Sequence, residues 1–452
     1  MASTKIERTL GTPTNIDKWT YSVWVKRASI GADTAIVTAR TGTSGPYLNL
    51  IFQGNHQLRI YGTDSGGLND FNYQTTRLFR DTSAFYHIVI GFDNTLAAAG
   101  DRCKIYVNGV QETSFAGQDD PASGVSYVFN TSGYTTVIGA RTDGSEYYNG
   151  VMSHINFVDG TQLTPSSFGE TDATDGMWKI KTSPSVTYGN NGFFLKMEDS
   201  SNLDLDSSGN SISFTTTGTL TATKDCPDNN MSTLSPLIPF PSGLTISNGN
   251  TSIASTASQW AGRYSTLRVF KGKYYVEAQF VSTGDNFKFG VQGADPNETT
   301  NWSTLNTSYA GYSAVGYEFQ CNNGNGYKVN NNSSPRWTES DFTPATSTIM
   351  MAFDLDNGKI WWGRNGTWFD SGGTPNPATG TDAAFTGIST DNSPYLFGLS
   401  LEGNGSSSHI NFGNGYFGTT AIGSPVTSNE GTWAYAPPTG FGAVNTKWIN
   451  TF

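Results

Sequence analysis

From Trp19 to Arg27 the chain reads WTYSVWVKR, with bulky and polar residues alternating. A period of two places successive side chains on opposite faces of an extended strand and on no single face of a helix. The same period returns in LNLIFQ (Leu48–Gln53) and QLRIYG (Gln57–Gly62). FYHIVIGFD (Phe85–Asp93) is more continuously apolar, as a central strand with both faces covered must be. KIYVNGVQ (Lys104–Gln111) carries Asn108-Gly109, the pair that best supplies positive φ at both central positions of a type I′ hairpin turn. TTVIGAR and VMSHINFVDG complete the set, and no stretch keeps a helical period long enough for a core helix. The fold class expected is all-β: antiparallel sandwiches of the jelly-roll kind.

A second set of strands follows. GKYYVEAQF (Gly272–Phe280), NFKFGVQG (Asn286–Gly293), AVGYEFQ, IMMAFDLDNGKIWWGRNGTWF, YLFGLSLEG and SSSHINFGNG have the same character. An internal echo links the halves. IVIGFDN (Ile88–Asn94) corresponds to IMMAFDLDN (Ile349–Asn357), KIYVNG to KIWWGRNG (Lys359–Gly366), and TTVIGA to YLFGLS. Ser-His-Ile-Asn-Phe occurs at both 153–157 and 408–412. Four landmarks in one order imply two tandem sandwiches with a shared run of central strands. The expected domains are 1–163, a connector at 164–243, a second sandwich at 244–418, and an extended tail at 419–452. The connector holds GFFLKMED and SISFTTTG as short strands, then DCPDNNMSTLSPLIPFPSG, a Pro/Ser-rich linker. The tail contains AYAPPTGF, whose paired prolines favour an extended segment.

The 452 residues carry a formal net charge of −11 and only 14% charged residues. That counts against nucleic-acid binding, which needs a basic patch, so no nucleic-acid partner is expected. Cys103, Cys226 and Cys321 form neither a metal spacing nor an even disulfide framework, and Cys103 reads as a buried free thiol. The N-terminal MASTKIERTLGTPTN has no apolar core of a signal peptide, and no apolar run reaches spanning length. The expectation is synthesis and folding in a cytoplasm without membrane insertion. Asn130, Asn301 and Asn332 open N-x-S/T triplets, read as loop chemistry.

These residues resemble a known set of proteins. TYSVWVKR, FYHIVIGFDNT, DRCKIYVNGVQ, the turn at Tyr147-Tyr148-Asn149-Gly150, and INFVDGTQLTPSSFGETD resemble laminin-G-like, concanavalin-type domains of marine tailed-phage proteins. YGNNGFFLKMED, LDSSGN and DCPDNNMSTLSPL resemble the connector of the same proteins. GKYYVEAQF, FDLDNGKIWWGRNG, HINFGNG and YAPPTGFGAVNT resemble a SPRY-like domain. The resemblance implies a structural or adhesion protein on the virion surface, made in the host bacterial cytoplasm. Such domains usually open with a full strand before the Trp19 strand, and here only KIERTLGTPTN precedes it. The edge is then open, covered by another subunit, or filled by the GFFLKMED or SISFTTTG strands.

Catalytic chemistry finds little support. His154 and His409 lie in the repeated pentapeptide and read as strand residues with a shared role, as does His87 in its apolar strand. His56 completes the four, and no close histidine pair suggests zinc. A glycosidase needs two carboxyls across the scissile bond. Asp204/Asp206 and Asp354/Asp356 have an i, i+2 spacing, but both lie in apparent turns where Asp caps the backbone. Asp204, Asp206 and Asn210 also offer oxygen ligands to calcium in a short loop. No phosphate-cradling glycine loop appears, and no cofactor is expected.

Glycan binding is the sharper reading, because shallow sugar sites combine aromatic faces with amide and carboxylate hydrogen bonds. The candidates are Trp302, Tyr309 and Tyr312 in one loop, Asn325 and Trp337 in a second, and Asp143, Tyr147 and Tyr148 in a third. Such aromatics also pack loops or bury interfaces. The reading is a non-enzymatic tail-fibre or receptor-binding component that touches host cell-surface glycans, many copies supplying avidity. The alternatives are a capsid or tail decoration protein bound to other virion proteins, and a polysaccharide-degrading glycosidase. A homo-oligomer is expected on general grounds, and a trimer would suit a fibre.

Overall fold

The computed structural model describes residues 4–42, 45–237, 243–256, 258, 260–281, 286–293, 313–322, 324–340, 347–370, 372–391 and 393–452. Its contacts divide the chain into two compact units, Met1–Ala222 and Thr223–Phe452. Both are built of antiparallel sheets, as the alternating sequence requires. Among the described residues no helix is long and apolar enough to cross a membrane.

In the first unit Trp19, Tyr21, Val23 and Val25 of strand Lys18–Arg27 enter the core, and Ser22 and Trp24 between them face the other way. The strand lies third in a six-stranded sheet whose order is Phe193–Leu195, Gly150–Asp159, Lys18–Arg27, Tyr86–Asp93, Cys103–Val107, Val110–Gln111. Opposite lies an eight-stranded sheet: Phe115–Asp119, Asp70–Leu78, Gln57–Thr63, Tyr47–Phe52, Thr34–Arg40, Thr135–Ile138, Lys5–Thr9, Thr215–Thr217. Strand Tyr86–Asp93 is buried along nearly its whole length. Its outward Val89 packs with Val158, Phe168, Tyr188 and Phe194, so the segment after residue 160 covers the sheet's second face. That double cover explains the continuous apolar run in the sequence.

KIERT forms a strand of its own, Lys5–Thr9, and its free side is covered from within the chain by Thr215–Thr217. The GFFL stretch closes an edge of the other sheet, pairing Phe193–Leu195 with Phe157–Ile155. The backbone N–H and C=O groups of these edges are therefore taken up internally. Asn108 and Gly109 adopt φ of 49° and 82°, the two positive values of the anticipated turn. Asn365 and Gly366 do the same at 49° and 89° in the second unit.

The second unit repeats the plan. An eight-stranded sheet runs Leu244–Ser247, Ser252–Ser255, Ser407–Asn411, Lys273–Phe280, Thr348–Asp354, Lys359–Arg364 and Thr367–Trp368, with Phe385–Thr386 beside Lys359–Arg364. A six-stranded sheet runs Ala261–Tyr264, Tyr395–Glu402, Asn286–Gly293, Gly316–Asn322, Asn325–Val329, Arg336–Ser340. The echo is thus topological. Each Ser-His-Ile-Asn-Phe strand pairs with the unit's long opening strand, Lys18–Arg27 or Lys273–Phe280. Each FD-containing strand pairs with that strand's other side, and the TTVIGA and YLFGLS strands lie in the opposite sheets.

Two expectations are corrected. The tail is not an extended arm: Trp433, Phe441 and Ala443 are buried against Tyr275, Met350, Ala352 and Trp361, and Thr446–Ile449 forms a short helix. Paired prolines fix local φ, but they do not stop the flanking aromatics from burying apolar area. The stretch read as a linker is likewise packed, with Met231 and Leu234 fully buried in the second unit.

Candidate functional site

The inner residues of the first unit's eight-stranded sheet are apolar, and Leu48, Leu50, Leu58 and Ile60 enter the core. Period two then sends Tyr47, Arg59, Tyr61 and Asn72 to the opposite face. Register aligns them: Arg40 is opposite Tyr47, and Tyr61 is opposite Asn72. The Tyr47 and Tyr61 rings meet edge to face with centroids 5.7 Å apart. The Arg59 guanidinium lies 4.1 Å from the Tyr61 ring centre, and its Nε donates to Asn72 Oδ1 at 2.6 Å. The Arg40 guanidinium lies 5.8 Å from the Tyr47 ring centre.

The turn after Ala140 meets this row. Arg141 Nη1 donates to Glu146 Oε1 at 2.7 Å, and its Nη2 lies 3.5 Å from the Tyr61 hydroxyl. Burial raises the Tyr61 hydroxyl above its ordinary pKa, so it remains a neutral donor and acceptor. Three guanidinium groups, two tyrosines and an asparagine amide thus share one half-exposed surface. Planar donor forks hold the hydroxyl and carboxylate oxygens of a sugar, and aromatic rings supply apolar contact to its C–H face.

The sequence candidates fall out unevenly. Asp143 is exposed beside this surface, but its Oδ1 accepts from Ser145 N (3.0 Å) and Ser145 Oγ (2.6 Å). Hydrogen bonds from the Ser145 hydroxyl and then its amide hold the carboxyl below its usual range, against the opposing effect of burial. Asp143 therefore holds the turn. Tyr147 is half-buried in the same turn. Tyr148 is a correction: it packs half-buried against the core with its hydroxyl enclosed, so that hydroxyl is not available to a ligand.

Trp337 is a second correction. It is 4% exposed, its ring packs on Phe369 and Trp362, and its Nε1 donates to the Asp370 carbonyl at 2.5 Å. The aromatic serves the second core, which period-two reading of Arg336–Ser340 would have allowed. Asn325 opens a strand, and its Oδ1 accepts from Arg336. Trp302, Tyr309 and Tyr312 lie outside the described residues. Sequence reasoning missed Tyr47, Arg59, Tyr61 and Arg141. The signal was available for Arg59 and Tyr61, which occupy outward positions of the recognised QLRIYG strand.

The carboxylate pairs are engaged in turns. Asp206 accepts from the backbone N–H of Phe194, Ser208 and Ile212 at 2.9 Å each, and Asp204 accepts from the Thr216 hydroxyl at 2.6 Å. Asn210 Nδ2 donates to the carbonyls of Gly189 (2.6 Å) and Gly192 (2.8 Å). Asp354 pairs with Lys273 at 3.0 Å, and Asp356 accepts from Gly272 N at 2.7 Å. These bonds fix loops and edges, as the turn reading of these aspartates requires. Cys103 and Cys321 are buried and Cys226 is half-buried, and none of the three is in a disulfide.

Residues 4–167 match the laminin-G family model described as the concanavalin A-like lectin/glucanases superfamily. The matched span falls in the first unit and agrees with the laminin-G-like reading of that half. Among solved structures, the TRIM65 PSpry domain is 12% identical, with 40% of this chain and 89% of that chain covered and a TM-score of 0.29. The SPRY domain of human HERC1 is 16% identical, with 37% and 91% covered and a TM-score of 0.27. No curated protein matches the chain.

Proposed function

We propose that the protein is a non-enzymatic binding protein of a tailed-phage virion surface that recognises host-surface glycans through its first unit. The observation that carries the reading is the Arg59–Tyr61–Tyr47–Arg141 surface on a lectin-like sandwich. Its guanidinium forks supply directional donors and its tyrosine rims supply apolar contact. On a chain of net charge −11 such a surface also favours acidic sugars locally. The aspartate pairs with the spacing considered for hydrolysis are held in turns, which supports binding without cleavage. The virion assignment rests on the order of sequence motifs through both halves. Single-site binding is weak at an open face, and many copies on one particle supply the avidity.

The test is binding of purified protein to host cells and to cells stripped of surface polysaccharide, with the supernatants assayed for released sugar. Binding that disappears on stripping, with no sugar released, is the expected result. Equal binding to both cell types, or none to either, turns the reading to decoration of other virion proteins. Released sugar overturns the non-enzymatic assignment.

A further inference from the structure

The repeated Ser-His-Ile-Asn-Phe gives the chain two copies of one histidine in different surroundings. In both copies the isoleucine, Ile155 or Ile410, enters the sandwich core. The asparagine faces away from it, where Asn156 accepts from the Tyr188 hydroxyl and Asn411 donates to Glu277. The histidine, two residues earlier on the strand, shares the asparagine's side.

In the first unit, Ser153 Oγ meets His154 Nδ1 at 2.7 Å, and Nε2 faces the Glu198 carboxylate at 3.6 Å. In the second unit, Ser252 Oγ meets His409 Nδ1 at 2.7 Å. Ser252 Oγ accepts from Asn248 Nδ2 at 2.9 Å, which leaves its own proton to donate to Nδ1. An imidazole that accepts at Nδ1 carries its proton on Nε2. Among the described residues, nothing accepts from that Nε2.

Instead the His409 ring lines an open cavity of about 380 Å³, with Gln279, Val281, Phe417, Ile422 and Ala434 among its walls. One wall is the hairpin of Tyr416–Phe417 and Thr420–Ala421. It approaches the imidazole at Gly418, φ +64°, where a Cβ would stand 2.8 Å from His409 Cε1. The Gln279 amide is already committed to Thr348 Oγ1 at 3.0 Å. The nearby Glu277 carboxylate is sealed under the backbone N–H groups of Ala434 and Tyr435. The cavity therefore offers apolar walls, the exposed Thr420 hydroxyl and one oriented ring N–H donor.

We propose that this cavity binds a hexuronate ring, whose carboxylate accepts from His409 Nε2–H and so occupies the side of the imidazole on which the first copy carries the Glu198 carboxylate. In the first copy the chain itself places a carboxylate, Glu198, 3.6 Å from the corresponding nitrogen. The cavity's volume lies in the range, about 300–1,000 Å³, of sites that enclose a whole small molecule. That exceeds what one acidic side chain would fill, and it selects a sugar ring over a protein carboxylate. The pyranose C–H face packs on Phe417 and Ile422. The proposal rests on the glycan reading for the class of ligand, but it concerns a separate site in the second unit.

The test uses full-length protein labelled with ¹⁵N-histidine, whose four histidines give few signals. The His409 signal is assigned by its loss in His409→Asn. Sodium D-glucuronate is expected to move the His409 Nε2 resonance saturably, with a midpoint of about 1 mM, an affinity that needs avidity. D-glucose and acetate leave it unmoved. Ala421→Trp, at the exposed rim, abolishes the response while the His87 and His154 signals stay in place, which reports an intact fold. No movement, or an equal response to D-glucose, overturns the proposal. Acetate matching glucuronate also overturns it, in favour of an acidic side chain from a protein partner. Because free sugars are the probes, failure here is distinguishable from failure of cell binding through the first unit.

Discussion

Trp178 Nε1–H donates to His87 Nδ1 at 2.9 Å, and this bond fixes the tautomer of a fully buried imidazole. With Nδ1 accepting, Nε2 carries the proton and donates to Ser22 Oγ at 2.9 Å. The ring lies between Trp24, at 4.5 Å, and Trp178, at 5.9 Å, nearly parallel to both. The Gly169–Thr171 and Trp178–Ile180 hairpin is thereby pinned to the six-stranded sheet. Gly109 permits it, since a Cβ there would stand 2.5 Å from the Trp178 ring.

Burial pushes the His87 pKa down to about 3, below the ordinary 6.5 of the unfolded chain. The unfolded state then binds the extra proton between these values. Stability is full above about pH 6.5 and falls as pH drops toward 3, by on the order of a few kcal/mol. Urea unfolding followed by tryptophan fluorescence should show this slope in the native protein. His87→Gln should be less stable at pH 7 and flatter across the window. A mutant curve as steep as the native one would assign the acid sensitivity elsewhere.

Glu277 has the opposite sign. Burial pushes its carboxyl up to about 7, against the opposing N–H groups of Ala434 and Tyr435, the Asn411 amide and the Tyr275 hydroxyl. A raised carboxyl contributes stability that is present below about pH 4.5 and lost as pH rises through 7. Glu277→Gln replaces one acceptor oxygen by a donor facing donors. It should destabilise the tail by about 1–3 kcal/mol. Hydrogen exchange at the Ala434 and Tyr435 amides should quicken selectively, and unchanged protection there would remove Glu277 from the latch.

Trp433→Ala should cost about 3–5 kcal/mol, as for other fully buried aromatics. The ring is 0% exposed and meets Tyr275 edge to face at 5.0 Å. An extended tail free of the sheet would instead leave the denaturant midpoint where it is.

Arg141→Ala and Tyr61→Ala should separate binding from folding. Both side chains are partly exposed, so melting should shift little; an exposed pair such as Arg141–Glu146 contributes about 0–1 kcal/mol. Binding to glycan-bearing cells should fall about tenfold or more, the scale of one charge-assisted hydrogen bond. Native-level binding by both variants would move the contact surface off this sheet.

Calcium chelation should leave the melting temperature unchanged, because the side chains of Asp204, Asp206 and Asn210 already hold protein hydrogen bonds. A drop on adding EDTA, restored by calcium, would show that an ion competes for those oxygens.

The amino-acid sequence by itself determined the all-β class, the strand faces and the duplication. Those depend on local period and turn chemistry: alternation at Trp19–Arg27, Asn108-Gly109, and the paired landmarks ending in Ser-His-Ile-Asn-Phe. Local period does not say which strands become neighbours. Only tertiary structure put Thr215–Thr217 beside Lys5–Thr9, or brought Arg141 to Tyr61, 80 residues away. It also decided between a tryptophan that meets ligand and one that fills a core. Trp337 and Trp433 lie in polar, turn-rich stretches, but both are buried because the opposing sheet or tail supplies apolar partners distant in sequence. Burial is a property of what arrives from elsewhere in the chain, and the same long-range packing left His409 facing a cavity where His154 faces a carboxylate.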